Sequence, residues 1–339
     1  MTGREADPER VFREIEERES LAERYRERQF ADRRKREKEN GTKAFVKRNI
    51  RRARRVARRL YRRVFFGKTT QGAGDPDLSL DRQKASERKN LYIRKEKIVV
   101  YSALFGNYDL IREPLLSPEN IDYYLLTDHR IPENSLWKHY EESRVLPREI
   151  LGDPVLCNRW CKMHPHLLFP EYDYSIYVDA NIWIFSDLTP AAAWLDRYPA
   201  AMFRHKKRDC VYEEIQACID QNKAGTDSLR KHQEVIRAQG IPRHWGLLEA
   251  SIIARKHSDR QCILLMDSWW EAFLRNSRRD QVSLIEVLWK AGIKPEQIGK
   301  LGRNLQRCNM FIQMPHRVPG GPELPGTIEE LRKILDKAV

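Results

Sequence analysis

Asp179 and Asn181 are the residues whose type and spacing are best suited to chemistry. They stand in the run Tyr172-Asp-Tyr-Ser-Ile-Tyr-Val-Asp-Ala-Asn-Ile-Trp183. Its Ser-Ile-Tyr-Val segment is rich in β-branched and aromatic residues, which predicts a buried strand. The strand pattern stops at Asp179, and Asn181 follows after one residue. Two side-chain oxygens at the end of a central strand can point into the crevice where open α/β sheets bind ligands. Oxygen donors suit a hard divalent cation, Mn²⁺ or Mg²⁺, which would bridge to a diphosphate. Asp and Asn also begin ordinary turns, and the local pattern leaves both readings open.

Other chemistry-bearing residues are distributed in a way that fits a nucleotide-sugar site. Asp128 ends a second apolar run, and Arg159 and Lys162 lie three residues apart on one helical face ahead of Asp179. Arg279-Asp280-Gln281 and His316 come later. A departing diphosphate needs cationic partners, and a carboxylate or amide must align sugar and acceptor. No Gly-x-Gly-x-x-Gly or Gly-x-x-x-x-Gly-Lys-Ser/Thr loop occurs, nor a Gly-x-Ser-x-Gly elbow or His-Glu-x-x-His. Dehydrogenase, P-loop and common hydrolase readings therefore lack their motifs. His164 and His166 flank Pro165 and read as packing or capping residues. Together with Asp179 they define an alternative, a metal-dependent hydrolase of a lipid or glycan. Trp269-Trp270 reads as core. The six cysteines have no second pair to complete a zinc site with Cys157 and Cys161, and read as free core thiols.

Alternating patterns supply the elements that would hold these residues. Strands are predicted over 97–103, 121–127, 174–178, 182–185, 200–203 and 246–254. Helices are predicted over 155–168 (disturbed at Pro165), 189–196, 211–221, 226–239, 258–276 and 280–291. This order predicts an α/β fold with a mostly parallel, helix-covered sheet.

The formal charge of +14 is concentrated in one segment. Residues 41–68 carry 12 basic and no acidic side chains, so any polyanion would bind this appendage rather than the α/β domain. Val46, Ile50, Ala53, Ala57, Leu60 and Val64 give residues 43–66 one apolar helical face among arginines and lysines. That pattern predicts an interfacial helix on an anionic membrane surface, a reading favoured over nucleic acid. Residues 1–40 balance 12 basic against 12 acidic side chains and read as a solvated helix, a weak coiled coil or disorder. Residues 69–95 read as a linker, 96–320 as the catalytic domain and 321–339 as a C-terminal helix. The charged beginning and the lack of an 18-residue apolar window place the expected location in the cytoplasm, at the inner face of the membrane.

The order of several short motifs resembles one family. They are Tyr101-Ser-Ala-Leu-Phe-Gly-Asn-Tyr-Asp109, Lys162-Met-His-Pro-His166 and the Tyr172–Asn181 stretch. His205-Lys-Lys-Arg-Asp-Cys-Val-Tyr-Glu-Glu214, Gly246-Leu-Leu-Glu-Ala-Ser-Ile-Ile-Ala-Arg255 and Arg279-Asp-Gln-Val-Ser283 follow. Together they resemble the glycosyltransferase-like domain family first named from plant turgor-regulation and seed-mucilage proteins, which also has bacterial members. The resemblance implies a Rossmann-like glycosyltransferase A fold and sugar transfer from a nucleotide-sugar donor. The acceptor would be a glycan or lipid-linked molecule of the cell envelope or surface polysaccharide.

By the same resemblance, Ser102, Ala103, Phe105 and Tyr108 would line the base and ribose pocket, and Asp128 would contact the nucleoside. Arg159 and Lys162 would reach the diphosphate, and Asp280 would position or activate the acceptor hydroxyl. Asp179, Asn181 and His316 would hold the metal. Asn181 stands where the general Asp-x-Asp of glycosyltransferase A enzymes has its second carboxylate, so it brings an oxygen without charge. A third class of reading is a non-catalytic adaptor, which nucleotide binding would separate from the enzyme.

Overall fold

The computed structural model describes residues 8–39, 95–106, 108–140, 145–316, 327, 329 and 330. The basic segment 41–68, nearly all of the linker and most of 321–339 lie outside the described residues, and with them the expected membrane helix.

Seven strands form the main sheet in the order β3-β2-β1-β4-β7-β6-β8. They are β1 (Ile98–Leu104), β2 (Ile121–Thr127), β3 (Lys138–Tyr140), β4 (Tyr174–Val178), β6 (Ala200–Arg204), β7 (Leu248–Arg255) and β8 (Gly299–Lys300). β5 (Ile182–Ile184) pairs antiparallel with β9 (Phe311–Gln313) in a separate ribbon. β1 runs parallel to β2 and β4, with Ile98 opposite both Ile121 and Tyr174. β7 is antiparallel to β4 and β6. The mostly parallel sheet expected from the sequence is present. Every residue of β1 and β4 is buried, as strands covered on both faces must be.

Alternation along β1 feeds two cores. Val99, Tyr101 and Ala103 join Trp160, Tyr177, Trp269 and Leu284 on one face. Ile98, Val100 and Leu104 join Ile176, Trp194, Ile252 and Phe311 on the other. Gly299 is required where β8 meets β6, because a Cβ there would lie 2.9 Å from Ala201 Cβ.

The helices follow the predicted periodicity. α1 (Pro8–Glu39) precedes the sheet. α2 (Pro154–Met163) starts on an Asp153 cap whose carboxylate accepts from Val155 N and Leu156 N. It ends where Pro165 forbids continuation, and a short turn of helix, Pro165–Leu168, follows. α3 (Val211–Asp220), α4 (Thr226–Ala238), α5 (Arg260–Arg275) and α6 (Asp280–Lys290) complete the layers. The expected strand at 182–185 exists but leaves the main sheet for the ribbon.

The N-terminal helix departs from its expected solvated state. Leu21, Ala22 and Tyr25 pack with Trp183, Phe185, Ile312 and Met314, while Phe12 and Ile15 pack beside Leu116. Arg26 donates to Asn309 Oδ1 at 2.8 Å. The apolar residues are too sparse to read as a stripe, yet the β5–β9 ribbon offers them an apolar surface. Burying both surfaces together is favourable at roughly 25 cal/mol per Å².

Candidate active site

The sequence-nominated residues converge at the C-terminal ends of β1 and β4. Asp179 ends β4 in a turn, with Ile182 N donating to its carbonyl at 2.8 Å. Its carboxylate also lies 3.4 Å from Lys162 Nζ. The turn and the polar site therefore coexist. Lys162 Nζ is 2.8 Å from Asp280 Oδ2, and Arg159 Nε is 3.0 Å from the same oxygen. Lys162 is 1% exposed, whereas the Asp179 side chain retains 28% exposure. Lys162 thus bridges two carboxylates from below, and Asp179 presents the open edge.

The surrounding fold fixes this arrangement. Lys162 lies on the last turn of α2, where free carbonyls attract cations. Buried Arg255 of β7 donates to Lys162 O at 2.6 Å and to Tyr101 Oη at 2.6 Å. Asp280 opens α6, and Trp269 Nε1 donates to its carbonyl at 2.8 Å. Gln281 Nε2 donates to Leu248 O at 2.8 Å, tying α6 to the start of β7. The site therefore draws on α2, α6, β4 and β7.

Electrostatics divide the carboxylates into two kinds. Burial pushes the Asp280 carboxyl up, but Arg159, Lys162 and Arg279 outweigh it and hold the group well below the usual carboxylate range. Burial lowers the Arg159 guanidinium, and Asp280 and Asp179 more than reverse this. Glu249 behaves oppositely. Burial raises its carboxyl, Ser251 opposes through a hydrogen bond, and Asp179 raises it further. Glu249 accepts from Ser251 Oγ at 2.7 Å, and the Ser251 carbonyl accepts from Asp179 N at 2.8 Å. Glu249 is a site residue that the residue-by-residue reading missed. The available signal was a carboxylate inside the otherwise apolar Gly246–Ala254 run.

His316 meets the site from the C-terminal side. Its Nδ1 lies 3.0 Å from Asp109 Oδ2, and its ring stands 4.7 Å from that of Tyr108. The Asp109 hydrogen bond raises the imidazole above its ordinary value; burial opposes this, and the charges of Asp109 and Asp179 reinforce it. Asn181 is buried, and its amide donates to Met314 O at 3.1 Å while Met314 N donates to Asn181 O at 2.8 Å. Asn181 thereby fixes the segment that carries His316.

Of the remaining nominated residues, Phe105, Tyr108 and Asp128 form the adjoining rim, whereas Ser102 and Ala103 are buried within β1 and line no open surface. Ser102 is buried with its Oγ unpartnered, and Ala103 O accepts from Asn158 Nδ2. Phe105 packs partly against the core, while Tyr108 is 63% exposed with one face toward the His316 ring. Asp128 caps the turn after β1: both its oxygens lie 3.1 Å from Gly106 N. Gly106 has φ 69°, which favours glycine.

For a cation, Asp179 supplies a charged oxygen and Asn181 an amide oxygen, while His316 is biased toward protonation. This set fits a hard cation only together with ligands from a bound diphosphate. His164 and His166 do not join it. His164 stacks on Trp160, with centroids 4.7 Å apart, and burial pushes its imidazole down to about 4. His166 faces Asp267 instead. The hydrolase constellation is therefore not assembled. Among the described residues, the group of three His, Cys, Asp or Glu side chains close enough to share an ion is Cys210, Glu213 and His244.

Against known proteins, a family model described as TOD1/MUCI70, glycosyltransferase-like domain, matches residues 79–316. No curated protein matches the chain. Among solved structures, the chain is similar to a WbbM bifunctional glycosyltransferase in its apo form, at 9% identity and a TM-score of 0.38. The similarity covers 70% of this chain and 41% of that one, so this chain spans less than half of that protein's length.

Proposed function

The chain belongs to the TOD1/MUCI70 glycosyltransferase-like domain family, and from that premise we propose that it transfers a sugar from a nucleotide-sugar donor to a glycan or lipid-linked acceptor of the cell envelope or surface polysaccharide. The observation that carries this reading is the Asp179–Lys162–Asp280–Arg159 group at the open end of β4. It places one reachable carboxylate above a buried platform of two cations and one carboxylate.

In this reading the nucleoside lies over Phe105 and Tyr108, above the buried Ser102 and Ala103 at the end of β1, with Asp128 fixing the turn beneath it. Arg159 and the protonated His316 face the diphosphate and stabilise its charge as the sugar departs. A divalent cation, Mn²⁺ or Mg²⁺, held by Asp179 and the Asn181 amide oxygen would supply further charge to the leaving group. Lys162 holds Asp179 and Asp280 in place; its buried ammonium acts through them. Asp280 stays ionised and keeps Arg159 aimed. That pairing suits it to positioning rather than proton abstraction, so the proton of the acceptor hydroxyl passes to Glu249. A carboxyl raised by burial is the better general base. Residues 43–66 would bring this chemistry to an anionic membrane surface on the cytoplasmic side, which liposome flotation with and without anionic lipid would test.

The test is calorimetric binding and donor hydrolysis with purified protein, Mn²⁺ and a panel of nucleotide sugars. One or more donors should bind, and Asp179→Ala should abolish both signals. If no donor binds and the substitution changes nothing, the reading fails.

A further inference from the structure

A second cluster of ligand-type side chains lies outside the group around Asp179, and none of the roles above uses it. Cys210 is the residue capping α3, and Glu213 sits on the first turn of that helix. Their spacing of three puts thiol and carboxylate on one helix edge. His244 comes from the connection between α4 and β7. One ligand atom from each of the three lies within 4.8 Å of the others. We propose that Cys210, Glu213 and His244 form a zinc-binding site that clips these two connections together.

The ligand set selects the metal. A thiolate, an imidazole and a carboxylate are zinc donors, whereas Mg²⁺ and Mn²⁺ prefer oxygen alone. Tetrahedral zinc separates its N, O and S ligands by roughly 3.3–3.8 Å. His244 Nε2 lies 4.0 Å from Glu213 Oε1, so small side-chain rotations bring the set to bonding distance. His244 Nδ1 is 2.7 Å from Asp209 Oδ1. A carboxylate on one ring nitrogen fixes the tautomer and directs the other nitrogen to the metal. Three protein ligands leave the fourth position to water. Binding converts the Cys210 thiol to thiolate and releases its proton to solvent.

The backbone already holds the two connections in register. Gly246 N donates to Asp209 O at 2.9 Å, and His205 N donates to Leu247 O at 2.8 Å. Trp245 packs edge-on to Trp289 at 5.3 Å. His244 itself sits at φ 61°, in the left-handed region that Asn, Asp and His enter more readily than other non-glycine residues. Glu249 begins three residues beyond Gly246, so the ion would stiffen the strand that carries it.

The full-length protein, stripped with a chelator and dialysed, would be titrated with Zn²⁺ and with Co²⁺. The expected result is one Zn²⁺ retained per chain, a thiolate-to-metal charge-transfer band with Co²⁺, and a melting temperature raised by Zn²⁺. His244→Asn keeps the left-handed backbone accessible and should abolish retention; Cys210→Ser should remove the charge-transfer band. Asp209→Asn should weaken binding roughly 10- to 100-fold, as loss of an orienting carboxylate does. Asp179→Ala should leave zinc unaffected, which separates this site from the proposed donor site. The proposal is overturned if no stoichiometric zinc is retained. It is equally overturned if His244→Asn binds as the parent does, leaving an ion-paired histidine only, or if the metal is lost with Asp179→Ala.

Discussion

Lys162 and Asp280, 118 positions apart in the chain, meet at 2.8 Å in a site where both are almost wholly buried. A buried pair of this kind contributes modestly when intact and costs heavily when one partner is removed; here Arg159 still pairs with Asp280 after the loss of Lys162, which softens that cost. Lys162→Met should therefore destabilise the protein, but by less than the roughly 3–5 kcal/mol of a buried charge left wholly unpaired. The double variant Lys162→Met/Asp280→Asn should be less destabilised than the two single effects summed. Chemical denaturation of the four proteins measures both quantities. Additive effects would show that the pair is not coupled.

The contrast between Asp280 and Glu249 makes a kinetic prediction. Glu249→Gln should leave donor affinity nearly intact and reduce turnover by about 10²- to 10⁴-fold. The parent's rate should rise with pH through a carboxyl titration displaced above the ordinary glutamate range, since burial favours the protonated form. The rising limb should vanish in the variant. A variant with parental turnover, or the same limb, would remove Glu249 from the proton transfer.

His316 predicts a pH dependence of opposite sign in nucleotide binding. Its hydrogen bond to Asp109 raises the imidazole, so the charged form persists to higher pH than in a free histidine. Affinity for a nucleoside diphosphate should be highest at low pH and fall as pH rises through the raised value. His316→Gln should flatten that profile and weaken binding by several-fold below it. Calorimetry across pH measures this directly, and an unchanged slope in the variant would exclude imidazolium as a diphosphate partner.

Much of this site was legible because its chemistry ends at strand and helix termini. The apolar run before Asp179 stops abruptly, and Arg159 and Lys162 show helical spacing. What the sequence could not reveal was who faces whom. Lys162 reads as a free cation seeking phosphate, yet tertiary packing buries it between two carboxylates. Asp128 reads equally as a nucleoside contact or as a cap, and its bonds to Gly106 N show the cap. Glu249 was hidden because its environment depends on the antiparallel pairing of β7 beside β4, a long-range relation that periodicity does not encode. β3, β8 and β9 were missed because strands of two or three residues are too short to show any period.

Glu286 carries a stability prediction. Burial pushes its carboxyl up, but hydrogen bonds from His232, Lys290 and Gln239 overcome this and hold it down to about 2. A carboxyl depressed in the folded state stabilises the protein above its unfolded pKa of about 4.3 and loses that contribution as pH falls toward the folded value. Stability should therefore decline between roughly pH 5 and pH 2, with Glu286 contributing on the order of 3 kcal/mol. Glu286→Gln should be less stable at neutral pH and should shed part of the acid dependence. Denaturation midpoints across pH test this, and an identical acid limb in the variant would rule it out.

The N-terminal helix gives the last prediction. Leu21 is buried against Trp183 of β5 and Phe185 just beyond that strand, and Ile15 is buried beside Leu116. Placing a carboxylate there buries an unpaired charge, which the helix avoids by detaching. Leu21→Asp should therefore release α1 while the sheet stays folded, because the β1–β4–β7 core shares few side chains with the helix. Hydrogen exchange should accelerate across 12–25 and at 182–185 and 311–314, with β1 and β4 unchanged. Arg26→Ala, which removes the bond to Asn309, should have a smaller effect of about 1 kcal/mol on the same segment. If Leu21→Asp instead unfolds the whole chain in one step, the helix belongs to the cooperative core. It would then be an integral layer of the domain rather than a docked arm.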